Sequence, residues 1–188
     1  DRNAVWSPNG KYVAYISDIS GETEIYIVAQ DGTSAPVQLT KNGDTYKYAL
    51  EWSPDSKKIL WADKKLRLQY VDIETKIITL VDKAEAWEFN SYTWSPDSKW
   101  IAYTKPEVIT QSNIYLYNVA SKGKYLVTDG WFDSGAPVFS DDGKYLFFTS
   151  QRDFNPVYSQ TEWNHAYVDM SRIYFVTLSK DTPSPFEA

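Results

Sequence analysis

Cysteine is absent from the chain, histidine and methionine occur once each, and no run of 18 apolar residues exists. The first absence excludes disulfides and thiolate metal sites. It leaves the compartment, periplasmic or cytoplasmic, open, because cysteine-free chains occur in oxidising and reducing spaces alike. The second leaves nothing to span a membrane as a helix, and the first residues carry no signal-peptide pattern. Basic clusters are missing too. Lysines and arginines are scattered through a chain of net charge −6, which argues against nucleic-acid and anionic-membrane partners. A nucleophile elbow would need Gly-x-Ser-x-Gly after a strand. Gly130 and Ser134-Gly135 come nearest, with the wrong spacing. No glycine-rich phosphate loop occurs. His165 has Ser159 and Ser171 as serine partners only by proximity in sequence. Glu162 stands three residues before it, without the second histidine or carboxylate cluster that a metal site would need. The expectation is a chain with no catalytic residue, no metal ligand and no cofactor.

What the chain does have is one phrase written four times. Trp6-Ser-Pro-Asn-Gly-Lys-Tyr-Val-Ala-Tyr15 is followed by Trp52-Ser-Pro-Asp-Ser-Lys-Lys-Ile-Leu-Trp61, then by Trp94-Ser-Pro-Asp-Ser-Lys-Trp-Ile-Ala-Tyr103. The last copy is Phe139-Ser-Asp-Asp-Gly-Lys-Tyr-Leu-Phe-Phe148, and the leading aromatics are 46, 42 and 45 residues apart. A fixed period in this range marks a repeat architecture. Proline at the second turn position, Asp or Asn next, then Gly or Ser where a positive φ is needed, make each phrase a β-hairpin. Asp55, Asp97 and Asp141-Asp142 are read as turn residues that bond local backbone. A third strand follows in each unit, at Ile25–Val28, Leu68–Val71, Ile114–Tyr117 and Ile173–Val176. A fourth closes the first three, at 36–40, 77–81 and 124–128. Four short strands per repeat make one β-propeller blade, with the run into the repeated aromatic innermost. The fold class is all-β: a β-propeller of four antiparallel blades at about 4–40, 48–81, 91–128 and 135–179, the last incomplete. Lys83 to Phe89 reads as a connection between blades, and Trp6, Trp52 and Trp94 as blade-packing residues.

The unit count does not match a closed ring. The first unit opens directly on an innermost strand, and the last stops after its third strand in a proline-bearing tail, Ser179 to Phe186. The expectation is a piece of a larger propeller. Its two end faces would be apolar, with Val13 and Tyr15 at one end and Leu146 and Phe148 at the other, and a homodimer of the chain would bury them. Unit four also carries an insertion. Its repeated aromatic lies 34 residues before the third strand, against 20 in unit three, and the additional residues fall at about 152–170. One reading is a surface loop that packs Phe154, Tyr158, Trp163 and Tyr167 on the propeller. The other is a rim or docking element whose contacts are Asn155, Pro156, Glu162, Trp163, Asn164 and His165.

The phrase Trp-Ser-Pro-Asp-Gly-Lys with Ile-Ala-Tyr, Ile-Tyr and a closing Leu-Thr resembles the blade repeat of TolB-type and tricorn-type proteins. The inserted segment and the Ile173 to Phe186 stretch are similar to the second propeller of tricorn protease homologues. The resemblance implies a non-catalytic propeller portion of a serine peptidase, with PDZ-like and peptidase domains downstream in the parent chain as its partners. Peptides or unfolded protein would be the substrate, and the catalytic serine and histidine would lie in those other domains. A TolB-like interaction propeller and the propeller of a prolyl-oligopeptidase-type hydrolase are the alternatives.

Overall fold

The hydrogen bonds of the first repeated phrase show why it turns where it does. Ser7 Oγ donates to Asn9 Oδ1 at 2.8 Å and accepts the Tyr12 amide at 2.9 Å, while Asn9 Oδ1 also accepts the Lys11 amide at 3.0 Å. The Gly10 amide closes the turn on the Ser7 carbonyl at 2.8 Å. Ser53 with Asp55, Ser95 with Asp97 and Ser140 with Asp142 repeat the set, each serine donating to its aspartate at 2.6 Å. Residue four of every turn is left-handed, with φ of 71° at Gly10, 60° at Ser56, 60° at Ser98 and 68° at Gly143. A type I turn followed by one left-handed residue is a standard hairpin connection.

The computed structural model describes residues 1–109, 111–154, 156–158, 165–167 and 169–186, and no helix occurs among them. Blade one runs β1 (Arg2–Trp6), β2 (Tyr12–Ser17), β3 (Glu24–Ala29) and β4 (Val37–Gln38). Blade two runs β5 (Lys47–Trp52), β6 (Lys58–Asp63), β7 (Arg67–Asp72) and β8 (Ile78–Lys83). Blade three is β9 (Tyr92–Trp94), β10 (Trp100–Lys105), β11 (Asn113–Asn118) and β12 (Lys124–Leu126). Blade four holds β13 (Ser134–Phe139), β14 (Tyr145–Ser150) and β17 (Arg172–Thr177), and each sheet is an antiparallel meander in chain order. The inserted segment contributes a separate two-stranded hairpin, β15 (Pro156–Tyr158) with β16 (His165–Tyr167). The innermost strands of blades one, two and four each carry a bulge, and in β13 it falls between Gly135 and Val138, where Pro137 needs no ladder bond.

Blades pack face to face through alternate side chains. Ala14, Ile16, Ile25 and Ile27 of blade one meet Leu50, Trp52, Ile59 and Trp61 of blade two. Leu60, Leu68 and Tyr70 of blade two meet Trp94, Ile101 and Tyr103 of blade three. Ala102 and Ile114 of blade three meet Phe139, Leu146 and Phe148 of blade four. The repeated tryptophan seats each blade on its predecessor: Trp52 Nε1 donates to the Val5 carbonyl at 3.2 Å and Trp94 Nε1 to the Glu51 carbonyl at 3.4 Å.

Three expectations need correction. Trp6 is 62% exposed, because the rule just described places its ring against a preceding blade, and blade one follows none within these residues. Leu146 and Phe148 are buried rather than on an end face. They occupy the same register as Val13 and Tyr15, and blades stacked in sequence point one register in one direction around the arc. In blade one that direction leads outward, whereas in blade four it leads into blade three. The outward side chains of blade four are instead Val138, Phe147 and Ile173, all exposed. Phe154 is largely exposed, so the inserted segment does not fold its first aromatic onto the propeller.

Candidate functional site

An antiparallel meander sends successive connections to opposite ends of its sheet. The repeated hairpins and the turns at 30–36, 73–77 and 119–123 therefore lie at one end of every blade. The loop residues 18–23, 64–66, 106–109, 111–112, 151–154 and 169–171 lie at the other, with the links at 39–46, 84–91 and 127–133 that lead to the next blade. The two ends differ in chemistry. On the loop face Ile19, Tyr46, Trp87, Val108, Ile109, Trp131, Phe132 and Phe154 are exposed, with Ile109 at 94% and Trp131 at 79%. On the turn face the described turns leave Ile77 exposed, and Trp6 is exposed where the first hairpin begins. Isolated exposed apolar residues are ordinary on a protein surface, but eight gathered on one end of a fold are not.

Each of the three links carries at least one of these aromatics, and each link is tied down beside it. Tyr46 is covered by the Arg2 guanidinium, 3.6 Å from its ring centroid, while Arg2 Nη1 donates to the Lys47 carbonyl at 2.9 Å. Trp87 projects from a link pinned on both sides by buried Ala84 and Phe89. The Trp131 amide donates to Asp129 Oδ1 at 3.2 Å, and Arg152 lies over both Phe132 and Tyr174, at 5.5 and 4.8 Å. The rings are thus presented by fixed backbone.

Beneath the loops, buried polar groups cross two of the joints. Glu24 of blade one and Lys47 of blade two form an ion pair at 3.4 Å, both nearly inaccessible, with Thr40 and the Gly43 amide also donating to the carboxylate. Asp82 of blade two accepts Lys124 Nζ at 2.8 Å and the Tyr103 hydroxyl at 2.9 Å, with Lys105 Nζ at 3.4 Å. Burial alone would raise the Asp82 pKa. Hydrogen bonds from Lys124, the Lys83 amide and Tyr103 outweigh it and hold the carboxyl below the usual range. Burial, with Asp82 beside it, pushes the Tyr103 hydroxyl well up. Asp44, on the loop face, sits between Lys65 at 2.6 Å and Arg67 at 2.7 Å, and their hydrogen bonds lower it to about 2. At the root of the insertion Arg172 pairs with Asp153 at 2.6 Å.

These charges are paired, and among the described residues no cluster of three or more potential metal ligands forms. Of the site residues read from the sequence, Asn155, Glu162, Trp163 and Asn164 lie outside the described residues, as does Ser159. His165 opens β16, opposite Tyr158. Ser171 is exposed at the base of the insertion. The link aromatics Tyr46, Trp87 and Trp131 escaped the sequence reading. The available signal was one exposed-type aromatic between each closing strand and the next repeat.

The family model described as the tricorn protease second β-propeller domain matches residues 1–188. Tricorn protease homolog 1 of Streptomyces coelicolor is 28% identical over 181 residues, which cover 94% of this chain and 17% of that protein. The crystal structure of the tricorn protease superposes with a TM-score of 0.86 at 20% identity, over 94% of this chain and 18% of that one. TolB from Acinetobacter baumannii superposes with a TM-score of 0.57 at 18% identity, over 94% of this chain and 43% of that one. At these identities both structures show the fold alone. The chain spans about a sixth of the length of the curated relatives it matches.

Proposed function

This chain belongs to the family of tricorn protease second β-propeller domains, and we propose that it is a non-catalytic access element of a larger peptidase, holding extended peptide at its loop face. The observation that carries this reading is the gathering of eight exposed apolar side chains on the loop face, with at least one aromatic on each link, Tyr46, Trp87 and Trp131 among them. Aromatic rings on fixed backbone bind apolar peptide segments with little dependence on sequence. Their rigid side chains lose little entropy, and each buries a large area. Covering several hundred Å² of such surface at about 25 cal/mol per Å² yields several kcal/mol before association costs, enough for transient retention. Asp44 and Asp153, two carboxylates of this face, are each paired with basic side chains.

The test uses the parent peptidase with Trp87→Ala and Trp131→Ala combined. KM for peptides longer than about ten residues should rise roughly fivefold or more, the loss of about 1 kcal/mol of uniform binding, with kcat unchanged. KM for tripeptide substrates should stay the same. Equal effects on long and short substrates, or none on either, would sink the access role. Peptide cleavage by the 188-residue chain alone would sink the non-catalytic part.

A further inference from the structure

The third joint is built differently from the first two, and the difference leaves a cavity. At the first joint the Asn9 amide donates to Ser56 Oγ at 3.1 Å, and at the second the Asp55 amide donates to Ser98 Oγ at 3.0 Å. The serine at the left-handed turn position of one blade thus receives the turn amide of the blade before it. Blade four has Gly143 at that position, so the Asp97 amide finds no acceptor among the described residues. A Cβ built on Gly143 meets nothing within 4 Å. Phe139, in place of tryptophan, removes a second group from the same region. The result is a cavity of about 330 Å³ at the turn face, walled by Trp100, Leu116, Phe139 and Leu178, with Asp97 and Asp142 beside it.

We infer that this cavity binds the N-terminal aromatic residue of a peptide. Each part of such a residue has a counterpart. The ring enters the apolar pocket between Trp100 and Phe139. The free ammonium reaches the Oδ2 atoms of Asp97 and Asp142. Each Oδ1 is taken by the turn serine and a lysine amide, whereas each Oδ2 meets only the lysine Nζ two residues on, at 3.6 and 3.5 Å, with both lysine side chains largely exposed. Such surface pairs are weak and readily displaced. Hydrogen bonds from Ser140 and the Lys144 amide keep Asp142 below the usual carboxylate range, so it is charged at neutral pH. The peptide carbonyl accepts the Asp97 amide, as Ser56 and Ser98 do for Asn9 and Asp55. A ligand carbonyl there supplies the acceptor that serine supplies at the two sibling turns. This site lies at the opposite end of the blades from the loop face and does not depend on the access role.

L-phenylalaninamide is the probe, titrated against the 188-residue protein by calorimetry and ligand-observed NMR. Saturable binding is expected below about 10 mM, the weak end of what a ligand of this size reaches. N-acetyl-phenylalaninamide, which lacks the charge, should bind at least tenfold more weakly. Gly143→Ser should abolish binding by placing its hydroxyl on the Asp97 amide. Because two sibling turns already carry serine at that φ, it should melt no lower than the parent. Phe139→Trp, which fills the pocket from the other side, should abolish binding as well and decides the matter if the first variant folds poorly. Unchanged affinity in a folded variant, equal binding of the acetylated probe, or no saturation by the parent would overturn the assignment.

Discussion

At the joint between blades two and three, Trp94 donates to the Glu51 carbonyl, Ser98 takes the Asp55 amide, and Asp82 binds Lys105 and Lys124 across the gap. At the joint between blades three and four, a phenylalanine and a glycine stand at the first two positions, and among the described residues no ion pair crosses. What does cross is lighter: the Ser134 amide bonds the Ser112 carbonyl at 3.1 Å and the Ser112 amide bonds Asp133 Oδ1 at 3.2 Å, over an apolar contact of Ala102 and Ile114 with Leu146 and Phe148. One repeat unit therefore makes joints of unequal strength. In a repeat protein stability is close to a sum of unit and nearest-neighbour terms, so the weakest joint sets which unit opens first.

The largest effect should come from the aromatics that seat the blades. Trp94→Ala is expected to cost about 3–5 kcal/mol in denaturant unfolding. Phe139→Ala should fall at the lower end of that range, since part of its surroundings is already empty. Equal losses would erase the contrast between the joints. Asp82→Ala should cost a similar 3–5 kcal/mol, because Lys105 and Lys124 are left facing a void where a buried carboxylate stood. The Asp82 carboxyl titrates below its unfolded value of 3.8 in the fold. Its contribution is therefore complete above that pH and disappears as pH falls through the folded value. The stability gap between the parent and Asp82→Asn should accordingly narrow between pH 6 and pH 3, and a gap that is constant with pH would show that charge is not what matters there.

Amide hydrogen exchange offers a comparison without mutation. Amides of β14, in the three-stranded blade beyond the weak joint, should exchange faster than those of β6 and β10, which lie between two blades. Uniform protection across the three would contradict the ranking of joints. The smallest effect belongs to the turns. Replacing a left-handed non-glycine residue with glycine commonly relieves about 1 kcal/mol of strain. In Ser98→Gly that relief is offset by loss of the bond to the Asp55 amide, worth about 1 kcal/mol. The variant should melt within about 1 °C of the parent, and a clear gain would mean the bond contributes little.

The loop-face aromatics provide a control. Trp87→Ala and Trp131→Ala remove exposed rings, so each should change stability by no more than about 0.5 kcal/mol while altering peptide handling. A large loss would mean that these rings pack in the assembled protein rather than bind.

Much of this molecule is local and could be read from the chain. The Ser-Pro-Asp-Gly phrase specifies its own turn because serine, aspartate and the left-handed residue satisfy one another within five positions, and Asn9, Asp55, Asp97 and Asp142 all do so. Period-2 alternation gave the strands, and the spacing of the phrases gave the blades. The direction in which each alternating face points was not local. Val13 and Leu146 share a register, yet one faces outward and the other a neighbouring blade, because burial depends on which unit stands alongside. Trp6 differs from Trp94 for the same reason. The loop-face aromatics come from links more than 40 residues apart in sequence, and only stacking of the blades gathers them at one end. The cavity at the third joint depends on Gly143 and Phe139 of one blade meeting Asp97 and Trp100 of another. A glycine in a turn reads the same whether or not a neighbour's amide is waiting for a hydroxyl. Sequence alone determined the repeating unit. Tertiary structure decided which surfaces of identical units are covered, because side-chain burial is set by non-local contacts that a period cannot express.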